Sequence, residues 1–168
     1  LDGENASIYK GYYHPRSVTD DGHPSRNWLK GFKANFDYLI PEGWRVCGEN
    51  MFAEHSIRYE NLESYFYVFN IWDENNYCLG WDTTVHYCKE WGLKHVPVLY
   101  DGIFDYKKLE EVYYGLDFSK SEGIVCRVAM QFHYDDFQMY YAKAVRPKHV
   151  STNEHWTKTW KPNKLKLD

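Results

Sequence analysis

The stretch Tyr65-Phe66-Tyr67-Val68-Phe69-Asn70-Ile71-Trp72 is the densest run of aromatic and β-branched side chains in the chain, and it predicts a strand more firmly than any other segment. Other strands are read around it. Ala6-Ser7-Ile8-Tyr9 alternates, and so does Trp44-Arg45-Val46, which runs directly into Cys47-Gly48-Glu49-Asn50. At that junction Gly48 would let the backbone approach a bound group closely, and Glu49 would offer two acceptor oxygens at a strand end. A ribose hydroxyl pair is a natural partner for such a carboxylate; the plainer reading is a strand-to-loop junction with a solvated acid. Two further strands, Gly123 to Met130 and Met139 to Val145, read as a hairpin joined through His133-Tyr134-Asp135-Asp136.

Helices fill the gaps between strands. Ser25 is placed as an N-cap, with Trp28 or Leu29, Phe32, Phe36 and Leu39 at helical spacing until Pro41. Asp82 is expected to cap a helix carrying Val85, Cys88 and Trp91 and closed by Gly92, and Asp105 one carrying Leu109, Val112 and Tyr113 and closed by Gly115. Residues 11–22 are turn-rich, with Pro15 and Asp20-Asp21-Gly22 flanking Arg16, and 51–64 is irregular, with His55, Arg58 and Glu60 among apolar residues. The fold class expected is α+β, with mostly antiparallel sheets and flanking helices.

Length and composition narrow the possibilities. A chain of 168 residues suits one domain with a sizeable core, and 43% hydrophobic with 19% aromatic residues argues for a folded protein. The 16 tyrosines and 7 tryptophans suit surfaces that are apolar on one side and hydrogen-bonding on the other, as base and sugar pockets are. A net charge of −4 carries no global polyanion signal, yet Lys143 to Lys166 holds seven basic residues and one acid, Glu154. Such a run is a solvated face or a phosphate-contacting strip. Cys47, Cys78, Cys88 and Cys126 form no C-x-x-C pair and no zinc spacing, so free thiols in a reducing compartment are expected. With no membrane-length apolar run and no signal peptide, a soluble, cytoplasmic protein is expected. The start at Leu1 lacks methionine and looks cut.

Asp2-Gly3, Arg16, Gly48-Glu49, the strand through Phe69, Glu122-Gly123, and Lys143 with Arg146 follow one another in that order. The order and the local sequences resemble the covalent nucleotidyltransferases, specifically the ATP-dependent RNA ligases, from residue 1 to about His149. The resemblance implies a nucleotidyltransferase (adenylation) domain over 1–149 lacking its N-terminal part, followed by a basic tail or linker over 150–168. It implies the following roles. Leu1-Asp2-Gly3 looks like the last three positions of K-x-D-G, whose lysine would precede Leu1 and attack the α-phosphate of ATP to form lysyl-AMP. Asp2 belongs to that catalytic motif, and Asn5 would sit near the phosphates or the water shell of the metal. Arg16 would contact phosphate or ribose, Glu49 would bind the ribose, and Phe69 would stack on adenine. Glu122 would support magnesium or manganese, Arg127 takes a position where a lysine is also found, and Lys143 would contact the α-phosphate. The commoner K-x-K pattern is not met, since Val145 stands two residues after Lys143 and Arg146 follows. In a strand Arg146 would face away from Lys143. The partners implied are ATP and RNA bearing 5′-phosphate and 3′-hydroxyl ends. DNA ligases and capping enzymes share the scaffold, and a non-catalytic nucleotide- or RNA-binding module or a purely structural α+β domain are the competing classes.

Overall fold

The computed structural model describes residues 1–16, 22–147 and 160–167; Asp20 and Asp21 of the expected turn, and most of the basic stretch after Pro147, lie outside the described residues. The chain opens with β1 (Glu4–Tyr9) and β2 (Tyr12–Pro15), joined at a tight turn where Gly11 takes φ +83°. There follow α1 (Asn27–Lys33), β3 (Arg45–Asn50), β4 (Phe66–Trp72), β5 (Tyr77–Cys78), α2 (Trp81–Glu90), β6 (Lys94–His95) and α3 (Tyr106–Tyr114). The last are β7 (Gly123–Arg127), β8 (Phe132–His133), α4 (Phe137–Tyr140) and β9 (Tyr141–Val145). The fold is α+β and mostly antiparallel. The main sheet has the order β2-β1-β3-β4-β5-β8, with β6 parallel to β4, and β7 pairs with β9 in a sheet of their own.

Alternation divides the main sheet into two faces. Ala6, Ile8, Val46, Phe66, Val68 and Ile71 point one way and pack with Leu29, Phe36, Ile40, Cys88 and Leu93 in the principal core. Cys47 and Trp72 point the other way, where Cys78 and Phe132 are buried with them and Phe69, Phe137, Tyr140 and Tyr141 pack against them. Between Cys47 and Gly48 the register with β4 slips by one residue, because Gly48 pairs with Val68 and Cys47 with Asn70. Phe69 is the extra residue of a bulge.

Gly48 itself does not face a bound group. It lies on the core side of β3, where an added Cβ would come 2.5 Å from the Phe66 ring and 2.7 Å from the Tyr67 carbonyl oxygen. The glycine is required by the core beneath it.

The first helix departs from expectation. Residues 24–26 form a short 3-10 turn capped by His23, not Ser25, and α1 stops at Lys33 instead of running to Pro41. Arg26 explains the start, since its guanidinium is buried against Glu4 of β1, with Nε 3.0 Å and Nη2 2.5 Å from the carboxylate oxygens. After α1 the chain turns at Phe36 (φ −144°) into a second 3-10 turn, which buries Phe36 and Ile40 and leaves Leu39 exposed. The helix over 81–90 is capped at Gly80, and Asp82 lies in its first turn, where its charge complements the helix dipole. Asp105 does cap α3, accepting from the Lys107 and Lys108 amides. The pairing of β7 with β9 is as expected, but the connection is no simple hairpin. Residues 128–140 detour to give β8 to the main sheet and α4 to the Trp72 cluster, because Phe132 and its neighbours have apolar surface to bury there.

The four cysteines are free, three buried and Cys126 half-buried. No helix among the described residues is long and apolar enough to cross a membrane.

Because the Gly48 contact is with an aromatic ring and a backbone carbonyl, Gly48→Ala is expected to destabilise the protein by about 1–3 kcal/mol as an overpacked core does. The urea midpoint measures the loss, and Phe66→Leu in the same chain should restore part of it.

Candidate functional site

The pairing of β1 with β3 sets Asn5 beside Glu49, and β2 extends the same face toward Arg16. Opposite them, β7 and β9 bring Glu122, just before β7, alongside Lys143, the partner of Val125. Asp2 and Gly3 lead into β1. Together Asp2, Gly3, Asn5, Arg16, Glu49, Glu122 and Lys143 line one open cleft of about 470 Å³, within the range of about 300–1,000 Å³ usual for small-molecule sites. The lining is mostly polar and holds three carboxylates and two cations.

Each acid is held differently. Glu49 Oε1 accepts a hydrogen bond from the Gly3 amide at 3.0 Å, and a Cβ at position 3 would strike the Asn50 carbonyl at 2.5 Å, so glycine is what lets the two segments lie this close. Burial pushes the Glu49 carboxyl from its ordinary 4.5 up to about 7; the Gly3 bond opposes the shift, and the charges of Asp2 and Glu122 add to it. Asp2 Oδ2 accepts from the Ser56 amide at 2.8 Å and from Ser56 Oγ at 2.5 Å, and the Asp2 amide donates to the Tyr59 hydroxyl at 3.1 Å. Glu122 is largely covered and stands 3.5 Å from Lys143 Nζ, a loose pairing that leaves the ammonium half exposed. Arg16 is exposed and makes no hydrogen bond or ion pair with a described residue.

A family model described as RNA ligase matches residues 1–145. The chain belongs to the RNA ligase family. Comparison with curated proteins and with solved structures returns no match.

Of the residues that the RNA ligase resemblance singles out, Asp2, Asn5, Arg16, Glu49, Glu122 and Lys143 are brought together in the cleft, and three are not. Phe69 lies on the cleft side of β4 but is packed into the Trp72 cluster. Arg127 turns inward: Nε donates to the Val128 carbonyl, Nη1 to Asn70 Oδ1 and Nη2 to the Leu79 carbonyl, with the guanidinium 5.5 Å from the Phe132 ring centre. It fastens the small sheet to the large one. Arg146 donates from Nη1 to the Phe118 carbonyl at 2.8 Å and from Nη2 to Ser56 Oγ at 3.2 Å, so it grips the hydroxyl that grips Asp2. Ser56 and Tyr59 are the residues that sequence reasoning passed over. They sit in an irregular stretch and belong to no motif, and a carboxylate needing partners at Asp2 was the sole hint of them.

Divalent magnesium or manganese fits this donor set. The cleft offers carboxylate oxygens and no cysteine or histidine, and no group of three or more potential ligands among the described residues would hold a metal alone. Magnesium is ordinarily bound by one or two carboxylates with substrate phosphates and water completing its shell.

A carboxyl whose proton is held more tightly in the folded than in the unfolded chain favours folding in acid, and stability is lost as pH rises from about 4.5 to about 7. Glu49→Gln should abolish that part of the decline. Melting temperatures across this window should converge on, or fall below, those of the variant as pH rises; parallel curves would mean that the carboxyl is not desolvated in the cleft.

Proposed function

We propose that the protein acts as the adenylation module of an ATP-dependent RNA ligase, joining 5′-phosphate and 3′-hydroxyl ends through lysyl-AMP and an adenylylated RNA. The observation that supports this reading is the convergence of Asp2, Asn5, Arg16, Glu49, Glu122 and Lys143, from four separated segments, on one cleft. Carboxylates and cations set side by side in one cleft suit a nucleotide whose ribose donates hydrogen bonds and whose phosphates accept them.

In this reading the nucleophile is a lysine immediately before Leu1, which the path of residues 1–3 would deliver to the cleft rim. Glu49 accepts from the ribose hydroxyls. Lys143 bears on the α-phosphate, where a fixed positive charge is worth most as negative charge builds during transfer. Arg16, which pairs with no described residue, supplies a fork for phosphate oxygens. Magnesium held by Glu122 and the phosphates would neutralise charge on the leaving pyrophosphate. Phe69 serves the base only if adenine reaches the aromatic cluster beside β4. Arg127 and Arg146, already engaged elsewhere, support the walls.

Mass spectrometry of a chain extended upstream of Leu1 and incubated with ATP should find an AMP adduct on the lysine before Leu1. No adduct on any residue would leave a binding module as the better reading. The roles of acid and cation also separate under metal titration. Glu122→Gln should regain part of its adduct yield as manganese is raised, whereas Lys143→Ala should stay inactive at every concentration, since no added metal can occupy the place of the ammonium. The reverse pattern would exchange the two roles. Phe69→Ala should weaken ATP binding by about 1–3 kcal/mol if the ring stacks on the base; unchanged affinity by calorimetry would confine Phe69 to packing.

A further inference from the structure

The segment 160–167 lies beyond the family match, yet it is laced to the loop that holds Asp2. The Glu54 amide donates to the Lys161 carbonyl at 2.7 Å, the Leu62 amide to that of Lys164 at 3.1 Å, and the Lys166 amide to that of Leu62 at 2.8 Å. Bridges pair Ala53 with Pro162 and Leu62 with Leu165. At the centre is Asn163, 2% exposed in a segment otherwise made of basic and surface residues. Its Nδ2 donates to the Met51 carbonyl at 2.8 Å and the Ala53 carbonyl at 3.2 Å, and its Oδ1 accepts from the Tyr59 amide at 2.8 Å. Its own amide donates to the Phe52 carbonyl, and its carbonyl accepts from the Tyr65 hydroxyl. Tyr59 is thereby gripped on both sides of its backbone, because the Lys164 amide also donates to the Tyr59 carbonyl at 2.9 Å.

These contacts bracket a short span. Residues 54 and 59 are anchored to the C-terminal segment, and between them stands Ser56, which binds the Asp2 carboxylate twice, while the hydroxyl of Tyr59 takes the Asp2 amide. Among the described residues the Asp2 side chain makes no other hydrogen bond, so its direction depends on where this span is held. We infer that Asn163 is a positioning residue, which fixes the 51–62 loop so that Ser56 and Tyr59 hold Asp2 in the cleft. The inference rests on the reading of the cleft as an adenylation site for its effect on activity, though not for its effect on Asp2 itself. A lone asparagine amide suits the task, since it can donate twice to carbonyls and accept once from an amide in one buried place. Aspartate could not donate, and an apolar residue would leave two carbonyls and an amide unmatched.

The test uses the full chain, extended upstream of Leu1, as wild type, Asn163→Ala, Tyr59→Phe and the double variant. Hydrogen exchange followed by NMR is expected to show the Ser56 and Asp2 amides exchanging at least about tenfold faster in Asn163→Ala, the scale of a lost hydrogen bond or more, with β1, β3 and β4 protected as before. Tyr59→Phe, which removes only the hydroxyl, should leave the melting temperature near that of wild type and slow AMP-adduct formation about three- to tenfold, with ATP affinity little changed. The double variant should be no slower than Asn163→Ala, because both act through one element. Should Asn163→Ala fail to fold, Asn163→Asp, which keeps the acceptor for Tyr59, is read in the same way. Unchanged exchange at Ser56 and Asp2, or effects of the two substitutions that multiply, would overturn the inference. If wild type forms no adduct, the adenylation reading fails while the exchange result still decides the role of Asn163.

Discussion

The antiparallel pairing of β1 with β3 is the contact on which the cleft depends. It sets Asn5 opposite Glu49, brings the Gly3 amide within 3.0 Å of the Glu49 carboxylate, and turns Ala6, Ile8, Val46 and Gly48 toward the core. The wall formed by β7 and β9 then brings Glu122 and Lys143 to face that pair of strands. The Glu4–Arg26 ion pair, both side chains more than nine-tenths covered, ties the same strand to the entry of α1 from the opposite face. Removing one member of such a pair leaves a buried charge without its counter-ion, which is far costlier than the pair is beneficial. β1 is thus fixed from both sides before any ligand is considered.

Three acids and two cations in one open cleft form a site that is electrostatically unfinished. Burial makes Glu49 hold its proton more tightly than an ordinary carboxyl, Glu122 leans on Lys143, and Asp2 draws on the Ser56 amide and hydroxyl. Each of these offsets, within the protein, negative charge that the cleft gathers in excess of its cations. Arg146 shows the complementary economy, since its guanidinium is committed to a carbonyl and to Ser56, so it steadies an acid at one remove.

Much of the fold and most of the cleft could be read from the sequence. The strands over 6–9, 45–50 and 65–72 are legible because alternation and aromatic density survive burial, and six cleft residues are legible because each stands in a short motif and the motifs follow one another in one order. What escaped reading has specific causes. A glycine beside a carboxylate reads as room for a bound group or as a plain strand-to-loop junction, whereas the Phe66 ring, on a different strand, accounts for Gly48. The bulge at Phe69 follows from pairing and not from local composition, so the place of that ring could not be anticipated. A cap at Ser25, apolar residues at helical spacing and a stop at Pro41 point to one long helix, yet a chain bent through two 3-10 turns can bury Leu29, Phe36 and Ile40 as well as a straight helix would. Asn163 stands in a lysine-rich run that reads as solvated, and a buried amide there is visible only once its carbonyl partners, about a hundred residues away, are in view.

That separation bears on the order of events in folding. The bond from Tyr59 to Asn163 spans 104 residues, and those from Asn163 to Met51 and Ala53 span 112 and 110. Contacts so far apart in sequence form late, because the chain must first lose the entropy of closing a long loop before the contact can reward it. The β1–β2 hairpin, by contrast, closes across a two-residue turn and needs almost no search. A nascent chain can therefore assemble β1 to β4 and their core while the 51–62 loop still lacks its clasp. The rim of the cleft at Asp2 is set only after residues 160–167 have been synthesised and have docked, which separates the acquisition of a stable body from the acquisition of a finished cleft.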